Sequence, residues 1–224
     1  MRQWPNDPTV AHLIFLDHQT VPTEDDLAVA LEHAIAKGAR AVRTSALFPS
    51  SADIVLASGF EPIDQLVLLR LQLDDAAVER LGRPSRRTRA MPLWTYHDAA
   101  SVDQRSFGPM WGNDASSLRD IRGATPLHRS RMIRSGRKVA GFAISGAAAD
   151  NGYLQRIAVA PEHRRLGIAR DLVVDSLRWM HADHRARCLV NTGIDNEAAQ
   201  RLYQGLGFER LPDLLTIAER RTSG

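Results

Sequence analysis

The chain has 224 residues, of which 44% are hydrophobic, and a formal net charge of +3. This composition excludes a disordered chain and supplies enough apolar side chains for one large domain or two small ones. The single cysteine, Cys188, excludes an intrachain disulfide framework. No apolar run approaches the ~20 residues that span a membrane, and the first residues lack the apolar segment of a signal peptide. We therefore expect a cytoplasmic protein without membrane contact.

The charge is distributed unevenly along the chain. Residues 1–75 carry 5 basic and 11 acidic side chains, whereas residues 76–224 carry 24 basic and 15 acidic ones. The second part is therefore the one suited to an anionic ligand. Arginine supplies all the basic side chains except Lys37 and Lys138. Because no basic helix or aromatic platform accompanies them, we predict no nucleic-acid partner.

Five elements are predicted in the first part of the chain. Thr23 followed by three carboxylates indicates a helix N-terminus, and Lys37-Gly38 indicates its end. Apolar residues recur at helical spacing between these two points. The predicted order is a strand at 11–17, a helix at 24–37, a strand at 41–47, a short helix that starts at 50–53 and ends at 58–60, and a strand at 65–73.

The segment 80–89 carries five arginines around Gly82, Pro84 and Ser85, and this pattern predicts a linker with a solvated charged face. Beyond it the predicted order is a strand, two helices, three antiparallel strands, a helix, a strand, a helix and two strands. The positions are a strand at 91–96, a helix at 98–107, a helix capped by Asp114 and running to 121, strands at 130–133 and 139–145 joined by a turn at 135–138, a turn at 150–152, a strand at 156–160, a helix at 167–182, a strand at 187–192, a helix at 196–204 and a final strand at 214–219.

The two ends of the chain share the order strand, helix, strand, helix, strand. Ser58-Gly59-Phe60-Glu61 and Leu206-Gly207-Phe208-Glu209 stand at matching places in the two copies. We interpret this agreement as an internal repeat in which residues 11–73 correspond to residues 154–219. The alternative is a chance similarity between two segments of alternating strands and helices.

The stretch from Gln155 to Ala169 predicts an anion site. An apolar strand ends at Pro161, a basic turn follows, and Gly167 opens an amphipathic helix. A helix N-terminus carries unpaired N–H groups and a partial positive charge, so it attracts a phosphate or pyrophosphate group. The predicted pyrophosphate-binding residues are Arg164, Arg165, Leu166, Gly167, Ile168 and Ala169. The alternative is an ordinary strand–helix turn on a basic surface.

Two motifs together resemble the GNAT N-acetyltransferase superfamily. One is Arg164-x-x-Gly167-x-Ala169 after a strand, and the other runs from Asn196 through Tyr203 to Gly207-Phe208. The resemblance implies an α/β (α+β) fold of the GNAT type, in which helices flank a mixed, mostly antiparallel central sheet preceded by a partial repeat of the fold. The first copy has carboxylates in place of the basic turn, and these repel a pyrophosphate. It is therefore expected to be a degenerate half-GNAT segment.

The implied domains are the degenerate segment at 1–76, the arginine-rich linker at 77–90 and a catalytic domain at 91–224. The resemblance implies acetyl-CoA as cosubstrate, an amine as acceptor and no metal. It places the pantetheine and the oxyanion-stabilising N–H groups along Ile157, Ala158 and Val159. A further pantetheine contact falls to Asn196, and Tyr203 becomes the general acid that protonates the leaving thiolate. The alternatives are a core aromatic at Tyr203 and a simple helix cap at Asn196.

The general base is the point where this sequence departs from the family. Relatives place a glutamate on one of two strands, where this chain has Gln155 and Asn191. An amide is not a base, so the amine loses its proton through water held by Gln155, Asn191 or Thr192, or arrives already neutral. Further candidates for the base are Tyr96, His97 and Tyr153.

Other residues of chemical interest have simpler interpretations. His181 and His184 with Cys188 resemble a metal set, but histidines at a helix end suit its dipole, and Cys188 is expected to be a small core residue. The aromatic residues Trp94, Phe107 and Trp111 are candidates either for core packing or for an acceptor wall.

The sequence therefore predicts an acetyl-CoA-dependent N-acetyltransferase that acts on a primary amine by direct attack. A protein N-terminus or lysine is the preferred acceptor, followed by a small-molecule amine. The alternative is a non-catalytic acyl-CoA-binding sensor or interaction module. The chain is expected to be a monomer or a homodimer.

Overall fold

The structure, a computed structural model, describes residues 2–5, 7–15 and 21–222. The strands are β1 (Arg2–Trp4), β2 (Asp7–Leu13), β3 (Ala41–Thr44), β4 (Glu61–Gln72), β5 (Arg89–Ala90), β6 (Leu127–Ser135), β7 (Lys138–Ala148), β8 (Asn151–Val159), β9 (Arg187–Gly193) and β10 (Glu209–Arg221). The helices are α1 (Glu24–Ala36), α2 (Pro49–Ala57), α3 (Asp75–Leu81), α4 (Tyr96–Trp111), α5 (Ala115–Gly123), α6 (Ile168–Ala182) and α7 (Glu197–Gly205). Short 3₁₀ turns occupy Leu93–Thr95 and Pro161–His163.

The chain divides into two compact units. The first comprises Met1–Leu68, Asn191–Gln200 and Arg210–Gly224, and the second comprises Leu69–Val190 and Arg201–Glu209. The division differs from the boundaries expected from the sequence, because the C-terminal segment groups with the N-terminal one. The cause is strand pairing, since Glu219 of β10 lies opposite Arg43 of β3.

The first unit has the strand order β1-β2-β3-β10-β4. β2 and β3 are parallel, whereas β1 pairs with β2 and β10 pairs with β3 in antiparallel fashion. Leu27, Leu31 and Ala34 form the buried face of α1, at the helical spacing seen in the sequence. The predicted start of α1 is confirmed, since Thr23 caps it and forms a capping box with Asp26.

The second unit has the strand order β9-β8-β7-β6-β5. β5 to β8 are antiparallel neighbours, whereas β8 and β9 are parallel. Alternate residues of β7 serve different cores: Phe142 packs with residues of α4 and α5, whereas Ala143 packs with Ile168 and Leu172 of α6. Helices therefore flank this sheet on both faces, as predicted.

The order of elements supports the repeat. β2-α1-β3-α2-β4 and β8-α6-β9-α7-β10 follow the same predicted sequence, and the first two strands are parallel in each. The three antiparallel strands β6, β7 and β8 are also confirmed. Leu16 and Asp17, at the end of the first predicted strand, lie outside the described residues.

Three sequence-based expectations were wrong. The segment 91–96 is not a strand, because Pro92 lacks an N–H for a ladder and its carbonyl accepts a hydrogen bond from Thr95 Oγ1, 2.7 Å away, which closes a 3₁₀ turn. A single strand, β10, follows α7 in the described chain instead of two. Helix α3 was missed, although Asp74 caps it through the Ala77 N–H at 2.7 Å.

The arginine-rich segment after α3 is packed against α6. The carboxylate of Asp171 accepts hydrogen bonds from the N–H groups of Ser85 and Arg86, at 2.7 and 3.2 Å. Thr88 Oγ1 donates to Asp175 at 2.8 Å. The segment expected to be a linker therefore has a fixed place on the second unit, with its arginine side chains exposed.

Candidate active site

Strand β8 is partly released from its neighbours. Its parallel ladder with β9 runs from the pair Asn151–Arg187 to the pair Tyr153–Leu189. The pairing of β7 with β8 skips Gln155, because Ser145 faces Leu154 and Ile144 faces Arg156. Gln155 is therefore the extra residue of a β-bulge, which bends the strand at this point. Beyond the end of the ladder, the edge of β8 that faces away from β7 has no strand partner among the described residues.

The three predicted pantetheine-binding residues lie in this part of β8. Ile157 and Val159 pack against the α6 cluster, and Ala158 belongs to the cluster under α4. Because their side chains are packed in these cores, only their backbone N–H and carbonyl groups are available to a ligand at the edge of β8. The Val159 carbonyl already accepts a hydrogen bond from Ser106 Oγ at 3.0 Å.

The turn after β8 has the conformation of an anion site. Arg165 has φ +62° and Gly167 has φ +78°, and such left-handed residues turn successive N–H groups towards one point. Gly167 caps α6 without a side-chain hydrogen bond. Arg164, Arg165 and Leu166 are exposed, whereas the Ile168 side chain is buried in the α6 cluster. Ile168 therefore offers only its backbone N–H to a ligand.

The matching helix of the first unit differs at its start. The Thr23 hydroxyl accepts a hydrogen bond from the Asp26 N–H at 3.2 Å, and the Asp26 carboxylate accepts one from the Thr23 N–H at 2.9 Å. The hydrogen bonds that the Asp26 carboxylate accepts from the Thr23 N–H and hydroxyl lower its pKa. The α1 N-terminus is thus closed by its own side chains and carries a negative charge, so it is unsuited to a pyrophosphate.

The structure adds one cation to the turn that sequence reasoning missed. Arg86 Nη1 lies 3.4 Å from the point that a Cβ at Gly167 would occupy. The same nitrogen donates to Asp171 at 3.1 Å, and the Asp171 side chain is only 2% exposed. No signal in the sequence connected Arg86, in a predicted linker, with a turn about 80 residues later.

Tyr203 lies in α7 and is 6% exposed. Its ring packs against Phe208, with 5.5 Å between the ring centroids. Burial raises the pKa of Tyr203 above the usual value near 10, and Cys188 adds to the effect. No hydrogen bond to the Tyr203 hydroxyl forms among the described residues. The phenol is therefore protonated at neutral pH and its proton is uncommitted.

Asn196 precedes the same helix and lies in the first unit. Its Oδ1 accepts a hydrogen bond from the Ala199 N–H at 3.2 Å, so the helix-cap interpretation is met. The side chain remains exposed. A contact with pantetheine stays a prediction.

An ion pair between Arg156 and the buried Asp103 lies next to the β8 bulge. Arg156 donates to both oxygens of Asp103 at 2.7 Å, and Asp103 is 0% exposed. The Asp103 carboxylate also accepts a hydrogen bond from the Asn113 N–H at 2.7 Å. Arg156 donates to the Trp111 carbonyl at 2.7 Å, and its guanidinium lies 3.6 Å from the centroid of Phe107. The Phe107 ring therefore lies next to Arg156 and also packs against the core cluster under α4, whereas only the backbone of Trp111 is held by Arg156.

Residues proposed for the base have different surroundings. Gln155 Oε1 is buried without a hydrogen-bond partner, and it lies 2.8 Å from the place of a Cβ on Gly146. The Tyr96 ring is fully buried and its hydroxyl is 2.9 Å from Ser130 Oγ, so it is part of the core. Asn191 is exposed and lies in the first unit.

Of the other candidate residues, His181 and Cys188 have structural roles, whereas Trp94 is exposed. His181 Nε2 lies 3.0 Å from Asp75 Oδ1, and Cys188 is fully buried as predicted, which raises the pKa of its thiol. Trp94 is 81% exposed and contributes nothing to a core. Within residues 2–5, 7–15 and 21–222, no three His, Cys, Asp or Glu side chains are grouped as metal ligands, and no helix has the length and apolarity to cross a membrane.

Comparisons with known proteins agree with this geometry. Residues 96–208 match the family model described as Acetyltransferase (GNAT) family. The chain is 37% identical over 60 residues to N-alpha-acetyltransferase 30 of Saccharomyces cerevisiae, a match that covers 27% of this chain and 34% of that protein. The Schizosaccharomyces pombe protein of the same name is 39% identical over 59 residues, covering 26% and 39% respectively. The chain thus spans well under half the length of the curated relatives it matches.

Solved structures are similar in fold. A tandem GNAT protein from the clavulanic acid biosynthesis pathway has a TM-score of 0.67 at 16% identity, over 89% of this chain and 70% of that chain. A GCN5-related N-acetyltransferase from Kribbella flavida has a TM-score of 0.62 at 16% identity, over 92% and 79%. The first of these supports the partial repeat. With the family match over residues 96–208, half of the chain, they establish that the chain belongs to the GNAT acetyltransferase family.

Proposed function

We propose that this protein transfers the acetyl group of acetyl-CoA to a primary amine by direct attack. The observation that carries the proposal is the protonated, unpaired phenol of Tyr203. The uncapped basic turn at Gly167 and the free edge of β8 fit the pyrophosphate and the pantetheine of the cosubstrate.

In this proposal each group of residues has a separate role. Backbone groups of Ile157–Val159 orient the thioester and its carbonyl oxygen, and the N–H groups of the turn hold the pyrophosphate. Asn196 contributes a pantetheine contact. The amine nitrogen forms its bond to the carbonyl carbon while the carbon–sulfur bond breaks. The leaving sulfur takes the phenolic proton of Tyr203.

We propose that the amine proton leaves by a route that uses neither Gln155 nor Tyr96 as the base. Gln155 is an amide, and the Tyr96 hydroxyl is engaged with Ser130. The acceptor therefore reacts as the free base, or loses its proton to water. A protein N-terminus suits this route better than lysine, because its pKa near 8 leaves a useful neutral fraction at pH 7.

The acceptor proposed first is a protein N-terminus, followed by lysine and then by a small-molecule amine. The partial identity to two N-alpha-acetyltransferases supports this order. The Phe107 ring, 3.6 Å from the Arg156 guanidinium, is the candidate for an apolar wall beside the bulge. A first residue with an apolar side chain is the acceptor that such a wall favours.

The test mixes the protein with acetyl-CoA and a panel of peptides and amines, and measures CoA release above hydrolysis. Gly167→Glu places a carboxylate in the turn and is expected to weaken CoA binding more than 100-fold, on the scale of a lost phosphate site. Gly38→Glu is the matched control, since Gly38 has φ +76° and open space around it. It introduces the same backbone strain and the same charge in the first unit and is expected to leave CoA affinity unchanged.

The outcomes separate the two functions that the sequence left open. Acetyl transfer to an amine, lost with Gly167→Glu and kept with Gly38→Glu, supports the enzyme. Tight CoA binding without transfer to any acceptor supports the acyl-CoA-binding module instead. Unchanged CoA affinity in Gly167→Glu would contradict the site assignment itself.

A further inference from the structure

A small open pocket of about 120 Å³ lies in the second unit, and none of its lining residues belongs to the basic turn. Its walls come from the end of β4, from α3 and from the turn between α7 and β10. Because one water molecule takes about 30 Å³ of liquid volume, the pocket has room for a few waters or for one small organic molecule. It is lined by four charged side chains, Arg70, Asp74, Arg80 and Glu209.

The two arginines and Glu209 have no partner in the described part of the protein. Neither a side-chain hydrogen bond nor an ion pair is formed there by Arg70, Arg80 or Glu209. Asp74 is engaged, since its Oδ1 accepts a hydrogen bond from the Ala77 N–H at 2.7 Å. Guanidinium and carboxylate groups therefore line one small pocket without pairing with one another, and their charges sum to zero. This arrangement favours a ligand that carries both charges over a simple cation or anion.

The inner wall of the pocket is apolar. Leu71 and Ala77 line it and are only 5% and 4% exposed. Gly207 has φ +91° and adds backbone without a side chain, with Leu71 Cδ1 3.5 Å from the point that a Cβ would occupy. Such a surface favours a ligand whose apolar part is small.

The pocket lies near the beginning of β9, away from the candidate active site. The Leu73 N–H, next to the pocket, donates a hydrogen bond to the Ala186 carbonyl at 2.9 Å, immediately before β9 begins. The partner of β8 is lost beyond the pair Tyr153–Leu189, at the other end of the same ladder. A ligand in the pocket is therefore distinct from the proposed cosubstrate and acceptor.

We propose that this pocket is a binding site for a small α-amino acid in its zwitterionic form. The carboxylate of the ligand accepts charge-assisted hydrogen bonds from Arg70 and Arg80, and its ammonium group donates to Glu209. Its side chain, of about the size of a methyl group, packs against Leu71 and Ala77. The inference goes beyond the proposed acetyl transfer and does not depend on it, because neither the basic turn nor β8 contributes to this pocket.

The probe is L-alanine, titrated into the isotopically labelled full chain without acetyl-CoA and followed through the backbone amide signals. Saturable shifts are expected at Ala77 and Gly207, with a dissociation constant on the order of 1 mM for a ligand of this size. Propanoate lacks the ammonium group of alanine, and ethylamine lacks its carboxylate. Each is expected to bind at least about tenfold more weakly, because it leaves part of the charge in the pocket unpaired.

Two variants each remove one charge from the pocket. Arg80→Gln and Glu209→Gln change exposed side chains, so both are expected to fold and to lower the affinity for L-alanine at least about tenfold. The matched controls are Arg83→Gln and Glu79→Gln, which remove the same charges from exposed positions that do not line the pocket. They are expected to leave the affinity unchanged, because their charges act on the ligand only through screening solvent.

Each outcome decides the proposal. Shifts at Ala77 and Gly207 that are lost in the two pocket variants and kept in the controls support it. Equal binding of propanoate or of ethylamine would mean a simple ion site and would overturn it, as would an affinity that the pocket variants leave unchanged. Shifts confined to residues 155–159 would mean that alanine binds as an acceptor amine and would also overturn it. The absence of saturable shifts would overturn the pocket and leave the acetyltransferase proposal intact.

Discussion

Replacement of Tyr203 by phenylalanine separates catalysis from stability. The hydroxyl is removed from a side chain that is 6% exposed and whose oxygen has no partner among the described residues. No donor or acceptor is left unpaired by its loss, so the free energy of unfolding is expected to stay constant or to rise by up to about 1 kcal/mol. The loss of a general acid is expected to lower kcat by about 10²–10⁴, or about 3–5 kcal/mol in the barrier.

Tyr96→Phe is the matched control. Its hydroxyl is 2.9 Å from Ser130 Oγ in a partly buried pair, so the substitution costs a hydrogen bond and about 1 kcal/mol of stability. It is expected to leave kcat unchanged. The assays are steady-state acetyl transfer to the best amine of the panel and urea unfolding at pH 7.

The pH dependence gives a second measurement on the same residue. Burial raises the pKa of Tyr203 in the folded chain, so its phenol is not expected to produce a falling limb in kcat near pH 10. In the unfolded chain the phenol ionises near pH 10, and stability is therefore lost as the pH rises beyond that value. Tyr203→Phe is expected to remove this loss. A variant with full kcat, or one that loses kcat only in proportion to folded protein, would refute the role of Tyr203 as general acid.

Three further predictions concern other parts of the chain. Asp103→Asn leaves the partly buried Arg156 without its countercharge and is expected to lower the free energy of unfolding by about 3 kcal/mol, as measured in urea. Glu162→Gln breaks an exposed ion pair with Arg105 and is expected to lower it by less than about 1 kcal/mol. Similar decreases in the two variants would contradict the reasoning from burial. Gln155→Glu supplies a carboxylate at the bulge, and the pH range over which kcat/KM stays high is expected to extend to lower pH. An unchanged pH profile would show that the amine proton does not leave through residue 155. Burial, together with Arg2 and Arg43, lowers the pKa of His12 to about 4. Its unfolded pKa is near 6.5, so its contribution to stability is complete above pH 6.5 and is lost as the pH falls towards 4. His12→Gln is expected to reduce that loss, and equal slopes of unfolding free energy against pH would refute it.

Much of the fold was predictable because its signals are local. The Thr23 and Asp114 caps, the hairpin turn at 135–138 and the amphipathic pattern of α6 depend on residues a few positions apart, and all four are found in the structure. The prediction for 91–96 was wrong because its apolar residues suit either a strand or a turn. Pro92 has no N–H group to donate to a neighbouring strand, and a 3₁₀ turn forms instead.

The candidate site was predictable where it depends on consecutive residues. The turn from Arg164 to Ala169 contains its own glycine, its own cations and the start of its own helix, so its chemistry is visible in the sequence. Residues that act across the fold were not visible. Asp103 and Arg156 are 53 positions apart, and Asp171 is 85 positions from Arg86.

The sequence alone determined the family, the order of most of the elements and the location of the basic turn in the second copy. It also determined that no carboxylate occupies the positions of Gln155 and Asn191. Only the tertiary structure decided that Gln155 is the extra residue of a bulge, that the Tyr203 hydroxyl has no partner, and that the arginine-rich segment lies beside the turn. The physical reason is that burial, strand register and long-range ion pairs depend on which segments meet, and that information is not contained in any short stretch of the chain.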